Sequence, residues 1–417
     1  VPEEFAFHPR KLIFGPLRDC PKCGKTEFGV FDVGPGHYER LCRNCNASHR
    51  FKLPQIHKAI VYLDQFAISN LSHVRTKDKV VDQFWQDIYA KLTHLHTLQL
   101  IVCPKSVAHM IESETSARNA EFQASAEMFA HDVFFTDFES IRNAIILKAL
   151  DAWLAGQAVV PEVTLHEIWH GNPHGWTKRW RFVAKMPSIP GYAAALRADR
   201  DAAHAGLVSV FESKWKKGGE TWEHWYDEEA RAFGNETIQS YNRERQKCED
   251  VVSGKRKLEN EFDALVQPVL QLGRLICCKL EGSGVGKDEV PHRAGEFLKS
   301  DLLMQAHFVR ISSSLYASLA MKAPGQNKQP TKGFFTDVDV MSCLLPYCDA
   351  MLLDRECVGY WREIQSSQNH KLPYGAKVFS LGAKEEFLNY LDEIEKSAHE
   401  EHRTLVREVY NYPRQQT

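Results

Sequence analysis

The sequence predicts a mixed α/β protein with a large helical insertion and a small metal-stapled module at its start. Three observations carry this. Strand–helix alternation at 56–115 resumes at 331–417; the stretch 116–330 between them is mostly helical by pattern; and residues 1–55, rich in Gly and Pro, hold two tight cysteine pairs. At 417 residues the chain has room for two or three domains and a full core.

Charge and apolar patterning exclude some function classes. A formal net charge of −2 rules out a protein coated in basic charge, so any nucleic-acid contact must come from local patches. No uncharged apolar run is long enough to span a bilayer, and no membrane partner is expected. The most apolar stretch, 141–160, is interrupted by Lys148, Asp151 and Gln157 and reads as a buried helix. The first residues, with Glu3 and Glu4, do not read as a signal peptide. Of the 11 cysteines, those outside the two pairs lie scattered in apolar or helical contexts. That usage suits a reducing compartment, so a cytoplasmic location is expected.

The first element in order is the cysteine module. Cys20-Pro21-Lys22-Cys23-Gly24 and Cys42-Arg43-Asn44-Cys45-Asn46 are two knuckles whose spacing suits one structural zinc ion held by four thiolates. Gly24 supplies the backbone freedom the turn needs. Four thiolates leave no open coordination position, so a catalytic zinc is not expected. The module resembles the zinc ribbons of nucleic-acid-handling proteins, which would give Arg43 and Arg50 phosphate contacts. The plainer reading, a module that folds and caps the next domain, stands beside it.

Next comes the α/β part, 56–115 and 331–417. Ile60–Leu63 reads as a strand ending at Asp64, with a helix through Phe66, Ile68 and Leu71. Val81, Phe84, Ile88 and Leu92 recur at helical spacing. Leu98–Val102 reads as a second strand, and a helix after Lys105 carries His109, Glu112 and Glu114. Ala350–Leu353 is a strand opened by Asp349 and closed by Asp354. Asp337 sits on the helix feeding it; Lys377–Ser380 is a further strand, with a helix from about Lys384 to Ser397. The acidic residues thus gather at element ends, where open α/β sheets form their crevices and hard divalent cations find oxygen ligands.

Val61-Tyr62-Leu63-Asp64 followed by Ile68-Ser69-Asn70 resembles the opening strand and helix of PIN-like nuclease domains. Pro104–Glu112 resembles their second motif, and Asp337-Val338 through Leu345-Pro346-Tyr347-Cys348-Asp349-Ala350, then Asp354, the third and fourth. The resemblance implies a PIN-like sheet flanked by helices, with Asp64, Glu112, Asp349 and Asp354 holding Mg²⁺ or Mn²⁺. Asp337 would be a further ligand or a water-orienting base. Asp339 and Glu114 compete with Asp337 and Glu112, since residues two apart on a helix face nearly opposite ways. Phe66 departs from the family, which places a small polar residue there. A lone Asp after a strand also has a plainer role, as a helix N-cap, and Asp354 before Arg355-Glu356 suits one.

Two signals compete. His166-Glu167-Ile168-Trp169-His170 matches the HExxH pattern of zinc proteases, which needs both histidines on one helical face; Gly171-Asn172-Pro173 ends any helix at once. Trp176-Thr177-Lys178-Arg179-Trp180-Arg181-Phe182 interleaves aromatic and basic residues. That pattern suits single-strand binding through Lys178, Arg179, Trp180 and Arg181, or equally a helix with a buried aromatic face.

The function expected is metal-dependent hydrolysis of a phosphodiester, RNA ahead of DNA, in a cytoplasmic enzyme resembling prokaryotic toxins or anti-phage defence effectors. A partner protein or a homo-oligomer is compatible with it. The alternatives are a non-catalytic nucleic-acid or protein-binding module on a decayed PIN-like fold, and an HExxH metalloprotease.

Overall fold

The computed structural model describes residues 12–114, 118–176, 192–257 and 267–410. Its first unit is an antiparallel meander of β1 (Phe14–Arg18), β2 (Phe28–Val33), β3 (His37–Cys42) and β4 (Ser48–Lys52), paired in that order. Val30 and Tyr38 face inward and bury a small core with Leu53, Ile56 and three residues from later in the chain, Trp176, Val406 and Val409.

The chain then enters a parallel sheet. β5 (Ala59–Leu63) leads through α1 (Gln65–Thr76) and α2 (Gln83–Thr97) to β6 (Ile101–Val102), followed by α3 (Val107–Glu114) and α4 (Asn119–Ala130). A short hairpin, β7 (Phe134–Phe135) with β8 (Trp169–His170), brackets α5 (Phe138–Leu154) and α6 (Leu165–Ile168). Helices follow: α7 (Tyr192–Ser213), α8 (Trp222–Val252), α9 (Pro268–Gly282), α10 (Val290–Leu298), α11 (Asp301–Met304) and α12 (His307–Lys322). The sheet resumes through α13 (Lys332–Leu344), β9 (Ala350–Leu352), α14 (Arg355–Ser366), β10 (Lys377–Phe379), α15 (Lys384–Ser397) and α16 (Glu400–Tyr410).

The sheet order is β10-β9-β5-β6, all parallel. Both faces are covered, as a parallel sheet with helical crossovers requires. Side-chain alternation divides each strand between two cores. Val61 and Leu63 of β5, with Ala350 and Leu352 of β9, pack under α1, α2, α4 and α15. Ile60 and Tyr62, with Met351 and Leu353, pack against α5, α8, α12, α13 and α14. The helices of 116–330 therefore share a core with one face of the sheet. Within it, α8 passes so close to the end of α10 that a Cβ on Gly234 would meet the Leu298 carbonyl oxygen at 1.9 Å, so only glycine fits.

The last helix returns to the meander. Arg40, buried to 1 % exposure, donates to the Pro16 and Phe28 carbonyls and to the Glu408 carbonyl of α16. Trp176, also 1 % exposed, donates its indole N–H to Pro54 O at 2.8 Å and packs beside Tyr410. Trp176 is thus a core residue tying the Pro54 segment to α16 and not a stacking platform for bases. Lys178, Arg179, Trp180, Arg181 and Phe182 lie outside the described residues. No helix among the described residues is long and apolar enough to cross a membrane.

Candidate metal centres

The two cysteine knuckles have the same local build. Gly24 N–H donates to Cys20 O at 2.8 Å and Asn46 N–H to Cys42 O at 3.0 Å. Gly24 (φ 68°) and Asn46 (φ 57°) both take the left-handed conformation that closes the turn. The four sulfurs lie within 4.8 Å of one another, with Cys20 to Cys45 at 3.6 Å and Cys23 to Cys42 at 3.7 Å. Zinc–sulfur bonds of about 2.3 Å in a tetrahedron put the sulfurs about 3.8 Å apart, so the quartet has the size a zinc ion needs.

Backbone N–H groups point at the sulfurs. The Lys25 N–H, the strongest influence on Cys23, helps draw that thiol down to about 6. At Cys45 the Ala47 N–H pulls the same way, but burial and the three neighbouring sulfurs push the thiol up to about 12. Four thiolates this close need a cation among them, and the donor set suits a soft divalent metal such as zinc. Arg43 turns its guanidinium inward to the Ile13 carbonyl, while Arg50 stays 67 % exposed beside Glu39.

The second centre lies at the carboxyl ends of β5 and β9, where the order of strand connections reverses. Asp64 N–H donates to Leu352 O at 3.0 Å, holding the two strand ends together. Asp64 then caps α1, accepting from Gln65 N at 2.7 Å, and Asp354 caps α14, accepting from Glu356 N at 3.4 Å. The capping role and the cluster coexist, because each cap engages one carboxylate oxygen and leaves the other free of the cap.

Asp64, Glu112, Asp337 and Asp354 act on one another electrostatically. Burial first, then Glu112, push the Asp64 carboxyl up to about 7, with Asp354 adding to it. Asp337, 7 % exposed on α13, is pushed up to about 9 by burial and then by Asp64, Asp354, Glu112 and Glu356. This resolves one pair of alternatives: Asp337 faces the cluster, whereas Asp339 ion-pairs with Arg142. Glu112 likewise reaches the cluster; the Glu114 side chain lies outside what is described. Glu356 is the member that sequence reasoning missed. The signal was an acidic residue in the first turn of α14, named in the sequence only as following the cap Asp354.

Asp349 does not join them, which corrects the expectation that it shares a metal with Asp64. It precedes β9, so five residues of extended chain, about 16 Å, separate it from Asp354. There its carboxylate accepts the Ile60 N–H at 2.8 Å on the opposite rim of the sheet.

A polar network beneath the strand end also escaped the sequence. His109, 3 % exposed, accepts the Ser106 N–H at Nδ1 (3.0 Å), which leaves Nε2–H to donate to Leu63 O at 2.6 Å. Tyr62 stacks on the imidazole and shares a hydrogen bond with Ser106 Oγ at 3.1 Å. Burial pulls His109 down to about 4, so it stays neutral and clamps the carbonyl preceding Asp64. Burial pushes the Cys103 thiol far up, which excludes a thiolate nucleophile there.

The HExxH match lacks its structural context. The helix ends at Ile168, and His170 lies on β8 paired with Phe134, so an i, i+4 helical pair of histidines is not formed. Glu167 accepts from Thr164 N and ion-pairs with Lys148. Among the described residues the cysteine quartet is the one group that gathers three or more donor atoms within 4.8 Å; the carboxylates stand farther apart. The chain matches no family model, no curated protein and no solved structure.

Proposed function

We propose that this protein is a PIN-like, divalent-metal-dependent nuclease whose N-terminal zinc ribbon is structural, with RNA the favoured substrate. The observation that carries the reading is the carboxyl cluster itself. Asp64, Glu112, Asp354 and Glu356 all act on Asp337 beside the carboxyl ends of β5 and β9, and Asp64 and Asp337 are driven up to about 7 and about 9 by burial first and then by neighbouring carboxyls. A structural ion-pair network would place cations among these groups, whereas the influences on Asp337 are burial and four other carboxyls.

In this reading Asp64, Glu112 and Asp354 hold Mg²⁺ or Mn²⁺ as hard oxygen donors, with Asp337 behind them. A cation bound there supplies Lewis-acid polarisation of the phosphoryl group and an activated water. The chain's own residues supply the rest. His109 and Tyr62 fix the backbone that presents Asp64, and the two helix caps fix the rotamers of Asp64 and Asp354. Asp337, the most buried, holds or accepts a proton according to whether a cation neutralises its neighbours.

The test is cleavage of labelled single-stranded RNA and DNA with Mn²⁺, Mg²⁺ or EDTA, comparing wild type with a folded Asp64→Asn/Asp337→Asn double variant. Metal-dependent cutting that disappears in the variant supports the reading. No cutting with either metal sinks it in favour of a binding module, and cutting that survives the double substitution removes the assigned site.

A further inference from the structure

The last helix, α16, draws its core from the cysteine module. Val406 and Val409, both fully buried, pack with Val30 and Tyr38 of the meander and with Leu53, Ile56 and Trp176. Among the described residues, none of α16 belongs to either core of the parallel sheet. A polar tie toward the sheet runs from His402 Nε2 to Leu98 O at 2.8 Å. At 11 residues α16 is too short to hold helical form alone. Its folding therefore depends on the surface that covers Val406 and Val409.

That surface is tied to the cysteine quartet through one strand. Tyr38, Arg40 and Cys42 alternate along β3 and share its buried face. Tyr38 O–H donates to the Glu408 carboxylate at 3.4 Å, Arg40 donates to the Glu408 carbonyl at 3.0 Å, and Cys42 belongs to the quartet. Arg18 of β1 adds an ion pair to Glu408. The strand register closes the path. Arg40 also donates to the Phe28 carbonyl at 3.2 Å, and Phe28 is the β2 partner of Cys42.

The knuckle end of the meander has little else to hold it. Its buried cluster is Cys20, Phe28 and Cys42, with Cys23, Cys45, Ala47 and Phe51 packed on it. A core that small, made mostly of metal-ligating sulfurs, takes its stability from the ion. A buried guanidinium in turn stays buried only while its acceptors hold their places. Opening of the β2–β3 end moves the Phe28 carbonyl, leaves the Arg40 charge short of a partner and draws it toward water, away from Glu408.

We infer that the cysteine module is a metal-dependent latch for the C-terminal helix: zinc loading and the docking of α16 are coupled, and loss of zinc releases α16 from the meander. Such coupling is reciprocal, so a change that undocks α16 weakens zinc binding by the same factor. The latch is independent of the nuclease reading and is measured without substrate.

Hydrogen exchange followed by mass spectrometry compares the full wild-type chain with and without a zinc-selective chelator. Amides of α16 should exchange about tenfold faster without zinc, while those of α12 keep their protection. The second arm works from the other end of the latch. Val406→Ser/Val409→Ser undocks α16 without touching a cysteine and should lower zinc affinity about tenfold in chelator competition. Ile276→Ala, a core truncation in α9, should leave that affinity unchanged. The exchange arm uses the wild-type chain, so it decides the matter even where the double variant folds poorly. Unchanged exchange in α16 after zinc removal, equal acceleration in α12, a folded double variant with unaltered zinc affinity, or a wild-type chain that takes up no zinc overturns the inference.

Discussion

Replacing Asp337 by Asn should stabilise the metal-free protein at alkaline pH. In the folded chain burial and four neighbouring carboxyls push Asp337 up to about 9, while an unfolded Asp titrates near 3.9. A folded value above the unfolded one means the stabilising, protonated state is fully present below about pH 4. It is lost progressively as pH rises toward 9. Between pH 6 and pH 8 one proton is held by the folded chain and not by the unfolded one. At about 1.4 kcal/mol per pH unit this is on the order of 3 kcal/mol of stability lost.

For a chain of this length, with an unfolding entropy of about 2.1 cal/mol/K per residue, that corresponds to about 3 °C in Tm. Asn keeps the shape and removes the titration. Scanning calorimetry in EDTA should therefore show wild type falling by about 3 °C relative to Asp337→Asn from pH 6 to pH 8. Mn²⁺ should raise wild type at pH 8 by more than it raises the variant, because in wild type the cation also balances the Asp337 charge that the variant lacks. Parallel pH dependence of the two proteins in EDTA would refute the claim that Asp337 is buried among unneutralised carboxyls.

Cys42→Ser should reduce bound zinc from one ion per chain to none by elemental analysis and abolish the thiolate-to-cobalt absorption of the Co²⁺-substituted protein. Asp349→Asn should retain metal-dependent cutting while Asp64→Asn loses it, since the two carboxylates occupy opposite rims of the sheet; equal loss in single-turnover assays would return Asp349 to the metal site. His109→Ala should lower stability by about 2 kcal/mol in urea titrations, because the Leu63 carbonyl and the Ser106 N–H lose their buried partner. His166→Ala with His170→Ala should leave zinc content unchanged, as measured by elemental analysis.

The sequence by itself determined the features whose causes are local. Two cysteine knuckles at ribbon spacing fold as paired turns whatever surrounds them, and the sulfurs meet at the separations a zinc ion requires. Apolar runs ending in Asp64 and Asp354 marked strand ends, because one Asp can close a strand and cap the next helix. Helical periodicity over 80–96 and 384–397 likewise predicted α2 and α15.

Only the tertiary structure decided which acidic residues meet. Asp349 and Asp354 open and close the same short strand, so their spacing alone holds them apart; the sheet order decided which of the two shares a rim with Asp64. The choice of Asp337 over Asp339 depended on helix phase and on Arg142 arriving from α5 to pair with Asp339. Trp176 became a core residue because α16 folds back over it from the far end of the chain. The clamp of His109 on the Leu63 carbonyl likewise joins segments distant in sequence. Local pattern dictates each element's type and its ends; which ends come together depends on strand order and helix packing, set by burial summed over the whole chain.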